Sequence, residues 1–256
     1  MTPAPRLRLV LGDQLSLANP ALADAEPGHD PVLLAEVLEE ASYVRHNRHK
    51  LVLVFSAMRH FREQLRERGF EVLYFELGEG VPDLATAVRL GLERFGLGGL
   101  VLCEPGEYRL REAFGAWHRD LGVAVERRED SRFLASHADF ARWAEGRRQW
   151  RMEHFYREMR RRHDVLLGVG GRPEGERWNF DADNRAGWRC QEPIPERPRH
   201  EPDTITREVI DLVLERFPDN PGDLTRFRCA VTPDGARAEL DWFVSFALPR
   251  FGTYQD

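Results

Sequence analysis

The sequence LRLVLGDQ at residues 7–14 predicts a buried strand that ends in a polar turn. Its first part, Leu7–Leu11, is apolar except for one arginine, and such short runs are typical of parallel strands covered by helices on both faces. Gly12 then allows a tight turn, and Asp13 and Gln14 place two polar side chains directly after it. We therefore expect a ligand-facing loop at the carboxyl end of a first strand.

Five further short apolar runs follow before Arg128, and amphipathic stretches separate several of them. This alternation predicts βαβ units and a doubly wound parallel α/β sheet, Rossmann-like, with its ligand crevice beyond the carboxyl ends of the strands. The predicted strands are Val32–Ala35, Leu51–Phe55, Val72–Phe75, Leu100–Cys103 and Val123–Glu126, and the predicted crossover helices are Met58–Arg68, Leu84–Phe95 and Tyr108–Asp120.

The strand pattern stops near residue 130, which predicts three regions: an α/β domain at 1–130, a linker with helices at 131–204, and the start of a helical domain at 205–256. The second region contains many glycines and prolines, which are typical of loops. Thr204 is the predicted N-cap of the first helix of the third region. The last predicted helix, 236–247, carries apolar side chains for which the sequence offers no downstream cover. We therefore expect an uncovered apolar face there and a chain that is part of a longer protein.

The charge composition limits the kinds of ligand that the whole chain can bind. The net charge of −6, from 37 basic and 43 acidic residues, disfavours nucleic-acid binding by the chain as a whole, so any DNA contact must be local. Lys50 is the only lysine, and the other 36 basic residues are arginine.

Three scattered cysteines predict neither a zinc site nor a disulfide framework, and they cannot complete a four-thiolate iron–sulphur cluster. No apolar run approaches the roughly 18 residues of a membrane span, and no signal peptide is visible, so we expect a cytoplasmic protein.

Two groups of residues are candidates for lining the crevice. Gly12, Asp13 and Gln14 follow the first strand, although a plain turn would read the same way. After the second strand, Glu36, Glu40 and Tyr43 fall at helical spacing and can share one face. Two carboxylates and a phenol could accept hydrogen bonds from a heteroaromatic ring and stack on it, whereas the alternative is a solvated helix with an anchored tyrosine.

Other polar residues predict no chemistry. His46 and His49 lack a third ligand at a convincing spacing, so we predict no metal site. Ser56 is a predicted N-cap at a strand end. The loop from Glu104 to Arg109 either lines the crevice or caps the next helix. No nucleophile with its base and no acid/base pair can be assembled, so we predict no catalytic residues in this chain.

The strongest local charge is at residues 142–162, a segment with eight arginines, three glutamates and several aromatic residues between them. This pattern suits a nucleic-acid surface, but a helix that packs its aromatics inward and turns arginines to water gives the same pattern. Both interpretations stay open.

Taken in order, several long motifs resemble the bacterial iron–sulphur photolyases and cryptochromes, also called deoxyribodipyrimidine photolyase-related proteins. They extend over nearly all 256 residues: LVLGDQLS, EEASYVRHNRHK, FSAMRHF, CEPGEYRLR, RFLASHADFARW, MEHFYREMRRR, RWNFDADNR and RFPDNPGDL.

The resemblance implies an N-terminal antenna domain that holds 6,7-dimethyl-8-ribityllumazine, a long linker, and a helical domain with FAD and a four-cysteine iron–sulphur cluster. It implies that the lumazine binds in the crevice described above, where Glu40 is the first candidate to accept a hydrogen bond from the edge of the ring. FAD and the cluster fall to a C-terminal domain that we expect to be missing here, so this chain is the antenna-binding part of a DNA-repair photolyase or photoreceptor. We expect a monomer that contacts DNA weakly or only within the full-length protein. The alternative is a free-standing, non-catalytic protein that binds a nucleotide or flavin precursor.

Overall fold

The computed structural model describes residues 4–180, 193 and 195–253, and its centre is a five-stranded sheet in which all paired strands are parallel. The strand order is β3-β2-β1-β4-β5. The predicted α/β class and doubly wound sheet are therefore confirmed. The strands are β1 (Leu7–Leu9), β2 (Val32–Ala35), β3 (Val72–Phe75), β4 (Gly99–Cys103) and β5 (Ala124–Arg128).

The helices before residue 130 are the crossovers of this sheet. They are α1 (Leu38–Ser42), α2 (Arg48–Glu67), α3 (Leu84–Phe95) and α4 (Tyr108–Asp120), and a short 3-10 turn at Pro20–Leu22 connects β1 to β2. The order of the strands changes direction at β1: β2 and β3 lie on one side of it, and β4 and β5 lie on the other. This switch point is where a ligand crevice is expected in an open parallel sheet.

The sheet is covered on both faces. Leu7 and Leu9 pack with residues of α3 and α4, whereas Val10, Val32 and Leu34 pack with α2. Because neighbouring residues of a strand point to opposite faces, one strand contributes to both cores. The apolar face of α2 also meets Val209 and Val213 of α7 (Thr204–Arg216), so this helix is buried from two sides.

The predicted strand at Leu51–Phe55 is wrong, because these residues belong to α2. The side chain of Asn47 accepts a hydrogen bond from the backbone N–H of His49 and caps the helix, which then continues without interruption to Glu67. Ser56 is consequently a fully buried residue within the helix and not its N-cap. The run LVLVF is apolar on several sides because the sheet and α7 both cover it, which imitates a buried strand.

By its internal contacts the chain divides into two compact units, residues 1–130 with 199–238, and residues 131–198 with 239–256. In the first unit Asp203, and not the predicted Thr204, caps α7 through the backbone N–H of Thr206. The second unit contains α5 (His137–Ala144) and α6 (Met152–Arg162). Towards the C-terminus, α8 (Pro233–Trp242) is followed by a π-helical turn at Phe243–Ala247 and a 3-10 segment at Leu248–Thr253. Leu240, Val244 and Phe246 are exposed.

In the described part of the chain, none of the helices is both long enough and apolar enough to span a bilayer. Cys103 is buried and Cys229 is partly buried, and Cys190 lies outside the described residues.

Candidate chromophore-binding site

A cavity of about 260 Å³ lies beyond the carboxyl ends of β1, β2 and β4. Its volume approaches that of the smallest ordinary ligand pockets, roughly 300 Å³. One wall is formed by apolar residues of α2, and the polar lining residues stand around it. The lining includes Gly12, Asp13, Glu40, Tyr43, His46, Lys50, Leu51, Val54, Phe55, Met58, Pro105, Gly106 and Glu107.

Gly12, between the end of β1 and α2, has little room for a side chain. A Cβ atom at this position would lie 2.9 Å from both Sδ of Met58 and Cγ1 of Val54. Both are cavity-lining side chains, so a larger residue would require them to shift and would alter the cavity wall.

Glu40 lies in α1, and its two carboxylate oxygens have different surroundings. Oε2 accepts a hydrogen bond of 2.6 Å from Nη2 of Arg109, and this bond raises the pKa of the Arg109 guanidinium above its usual range. Oε1 is buried and has no hydrogen-bond partner among the residues that the structure describes. A buried acceptor without a partner costs free energy, so a ligand N–H at this position would be bound favourably.

Tyr43 follows α1 at the mouth of the cavity and is 47% exposed. The guanidinium carbon of Arg109 lies 4.6 Å from its ring centroid, and the ring of His46 meets it edge-on at 5.1 Å. The arginine thus holds both Glu40 and Tyr43 in place, which prepares an acceptor and an aromatic surface side by side.

Two of the predicted crevice residues do not line the cavity. The buried Gln14 donates from Nε2 to the backbone carbonyl oxygen of Glu104 at 3.1 Å, which ties the segment after β1 to the end of β4. Glu36 precedes α1, so it does not share a helical face with Glu40 and Tyr43 as the spacing suggested. Its neighbours Ala35 and Val37 line the cavity, whereas Glu36 points away from it.

Glu36 is instead the centre of a buried polar network. Its carboxylate accepts two hydrogen bonds from Arg59, at 2.8 and 3.0 Å, one of 2.6 Å from the hydroxyl of Tyr74, and one of 3.0 Å from the backbone N–H of Leu77. Burial and the nearby carboxylate raise the pKa of Tyr74 far above its ordinary value, so the phenol remains a donor. This network fastens α2 and the segment after β3 to the end of β2, just behind the cavity.

The α2 wall and two polar lining residues, His46 and Lys50, are not among the residues that the sequence predicts for the crevice. The loop before α4, for which the sequence allows two interpretations, contributes Pro105, Gly106 and Glu107 to the lining. The missed signal was Asn47, a good N-cap, followed by apolar residues at positions 51, 55 and 58 with helical spacing. No group of three or more metal-binding side chains occurs among the residues for which the structure gives positions.

In the second unit, the segment of arginines and aromatic residues at 142–162 contains both packed and exposed side chains. Phe140, Trp143 and Phe155 pack on one another with ring centroids 5.0–5.6 Å apart, so these aromatics form a small core. Trp150, however, is 65% exposed, and most arginines around it face solvent.

Arg160 of the same stretch has a structural role. It is buried and its guanidinium donates to the backbone carbonyl oxygens of Val165, at 3.1 Å from Nε, and of Leu166. It thereby holds the turn after α6, in which Leu166 has a positive φ of 52°. The exposed arginines, and not Arg160, are the groups available to a polyanion.

The family model for deoxyribodipyrimidine photo-lyase-related proteins matches residues 8–229. The chain is 42% identical over 253 residues to a (6-4) photolyase of Agrobacterium fabrum (strain C58 / ATCC 33970), a match that covers 98% of this chain and 50% of that protein. It is also 24% identical over 147 residues to the uncharacterized protein R852 of Acanthamoeba polyphaga mimivirus, covering 56% of this chain and 73% of that protein. The chain thus spans half the length of the photolyase that it matches.

Proposed function

The chain belongs to the deoxyribodipyrimidine photo-lyase-related proteins, and we propose that it is the antenna-binding part of a light-dependent DNA-repair protein. In this proposal the cavity beyond β1, β2 and β4 holds 6,7-dimethyl-8-ribityllumazine, which supplies light absorption when bound. The sequence resemblance also implies FAD and an iron–sulphur cluster, and in this proposal both are held by the helical domain of the family. Catalysis is accordingly assigned to no residue of this chain.

The observation that carries the proposal is the unpartnered Oε1 atom of Glu40 in an otherwise largely apolar cavity. A lumazine has one ring N–H, flanked by carbonyl groups, and a carboxylate oxygen is a strong acceptor for it. Tyr43 lies beside Glu40 and offers a ring face, while the exposed Asp13 is within the same lining and can meet ribityl hydroxyls. Gln14 and Glu36 support this site indirectly, by fixing the segments that carry it.

Replacing Glu40 with alanine is expected to weaken lumazine binding about five- to 150-fold, because the loss of a buried hydrogen-bond partner costs about 1–3 kcal/mol. Isothermal titration of the purified chain with the lumazine measures this directly. Glu39→Ala is the matched control, since Glu39 is an exposed neighbour in α1 that does not line the cavity. Equal affinity of wild type and Glu40→Ala would contradict the assignment of Glu40, and a well-folded wild type that binds no lumazine would contradict the proposed function.

For DNA, we propose that the exposed arginines of the second unit supply a weak, salt-sensitive contact. Reversing Arg148 and Arg151 to glutamate should reduce binding to duplex DNA several-fold at low salt and flatten its dependence on salt concentration, because fewer phosphate contacts release fewer counterions. Arg68→Glu with Arg89→Glu is a control of equal charge change on exposed positions of the first unit. Fluorescence anisotropy over a salt series checks the result, and an equal loss in both double variants would show that net charge alone is responsible. Arg160 is left intact because of its structural contacts.

A further inference from the structure

Residues 219–223, with the sequence DNPGD, lie against the loop between α1 and α2. They follow α7, in the part of the chain that returns to the first unit after residue 198. We call this segment the strap. We call residues 43–47 the rim loop, because Tyr43 and His46 of this loop line the cavity. All five strap residues are described by the structure, and none of them belongs to the cavity lining.

Two hydrogen bonds join the strap to the rim loop itself. The side chain of Asn220 donates from Nδ2 to the backbone carbonyl oxygen of His46 at 2.9 Å. One residue earlier in each segment, the guanidinium of Arg45 donates to the backbone carbonyl oxygen of Asp219. Both bonds act on the chain around His46, whose side chain is buried and lines the cavity. The strap therefore fixes the position of a lining residue although it does not line the cavity.

The strap also completes the start of α2. The first four N–H groups of an α-helix have no partner within the helix. The N–H of His49 donates to the side chain of Asn47 at 2.8 Å, whereas that of Arg48 donates outside the helix. Its acceptor is the carbonyl oxygen of Pro221, at 2.7 Å. Because α2 forms one wall of the cavity, the strap supports this wall together with the rim loop.

The side chain of His49 adds a further bond to the strap. Its Nε2 atom lies 2.7 Å from the backbone carbonyl oxygen of Asp223, and a carbonyl can only accept, so Nε2 carries the hydrogen. The ring of His49 also lies against the buried Phe227, with centroids 5.7 Å apart. The strap is thus held at both of its ends.

Gly222 allows the close approach of the strap to α2. Its φ is 117°, in the region that favours glycine, and a Cβ atom there would lie 2.6 Å from Oδ1 of Asn47. That oxygen caps α2. A side chain at position 222 would therefore require the strap or the helix cap to shift.

We propose that the strap is a positioning segment for the chromophore cavity and that Asn220 acts through His46 as a positioning residue. Loosening the strap lets the rim loop leave the binding geometry, and the observed affinity falls with the fraction of molecules that keep this geometry. The linkage is reciprocal, so a bound chromophore stabilises the strap without lying against it. This inference rests on the proposed function, because it takes the lumazine as the ligand of the cavity.

The first test is titration of wild type, Asn220→Asp and Asn220→Gln with 6,7-dimethyl-8-ribityllumazine. An ionised aspartate has the shape of asparagine but has no N–H to donate to the carbonyl oxygen of His46. Asn220→Asp should bind the lumazine about two- to tenfold more weakly, as expected for the net loss of one hydrogen bond. Asn220→Gln keeps the donor and should bind more tightly than Asn220→Asp.

Leu92→Val is the matched control for stability. Leu92 is buried near the C-terminal end of α3 and does not line the cavity. The substitution removes one methylene group from the core, so it should lower the urea midpoint of unfolding. Its affinity for the lumazine should remain that of wild type.

Hydrogen exchange followed by mass spectrometry gives a readout that a general loss of stability does not reproduce. Without ligand, Asn220→Asp should exchange faster than wild type in residues 43–50 and like wild type in residues 92–98. In wild type, saturating lumazine should slow exchange in residues 217–227, which contain the strap, and leave residues 92–98 unchanged.

The outcomes separate this inference from the proposed function. If wild type binds the lumazine but Asn220→Asp binds it equally well, and residues 217–227 exchange equally with and without it, the role of the strap is overturned and the proposed function stands. If Leu92→Val loses as much affinity as Asn220→Asp, the role of the strap is overturned as well, because stability alone explains the loss. If wild type binds no lumazine, the proposed function falls and the ligand-free exchange decides on the strap. Faster exchange of residues 43–50 in Asn220→Asp then supports its hold on the rim loop, and equal exchange overturns it.

Discussion

Replacing Glu36 with alanine is expected to lower the free energy of unfolding by about 3–5 kcal/mol, the usual cost of leaving one partner of a buried ion pair without the other. Arg59 is only 6% exposed and would lose both hydrogen bonds to the carboxylate. The hydroxyl of Tyr74 and the backbone N–H of Leu77 would lose their acceptor in the same step. Urea unfolding followed by circular dichroism measures the change.

Glu76→Ala is the matched control for this prediction. Glu76 also pairs with Arg59, at 3.3 Å, but its side chain is 41% exposed, and solvent-exposed pairs contribute about 0–1 kcal/mol. Adding Arg59→Met to Glu36→Ala should recover part of the loss, because the buried guanidinium that has lost its two hydrogen bonds to Glu36 is then removed as well. A Glu36→Ala variant as stable as Glu76→Ala would show that the network is not a significant source of stability.

The sequence is sufficient for the sheet because five of its runs carry strand signals that nothing else competes with. The runs that overlap an observed strand are Leu7–Leu11, Val32–Ala35, Val72–Phe75, Leu100–Cys103 and Val123–Glu126. It failed at residues 51–55, where burial from two sides gave a helix the composition of a strand. Local patterns report how apolar the surroundings are, and only the caps and the spacing over a longer window distinguish the two structures.

For the cavity, the sequence indicated the strand ends but could not assign directions to side chains. The predicted shared face of Glu40 and Tyr43 does line one cavity, whereas Glu36, only four residues before Glu40, pairs with Arg59 and is not in the lining. The role of Arg109 depends on contacts 69 residues apart along the chain, which no local pattern contains. The same holds for Asn220, which supports His46 across 174 residues.

Filling the cavity should have the largest effect on chromophore binding. Val54 of α2 lines the cavity and is only partly buried, so an indole at this position can extend into the empty volume without displacing the sheet. We expect Val54→Trp to weaken lumazine binding more than about 100-fold, since a ligand and a packed side chain cannot occupy the same space. Insertion into an existing cavity should cost less stability than the typical 1–3 kcal/mol of overpacking, about 1 kcal/mol or less.

Leu90→Trp serves as the control, because it introduces the same side chain at a position of α3 that is 40% exposed and outside the cavity lining. Both variants should give the circular dichroism spectrum of the wild type, and only Val54→Trp should lose the calorimetric signal of lumazine binding. The two results together separate exclusion of the ligand from damage to the fold. If Val54→Trp folds and still binds lumazine with wild-type affinity, the chromophore does not occupy this cavity, and the hydrogen-bonding role proposed for Glu40 loses its basis.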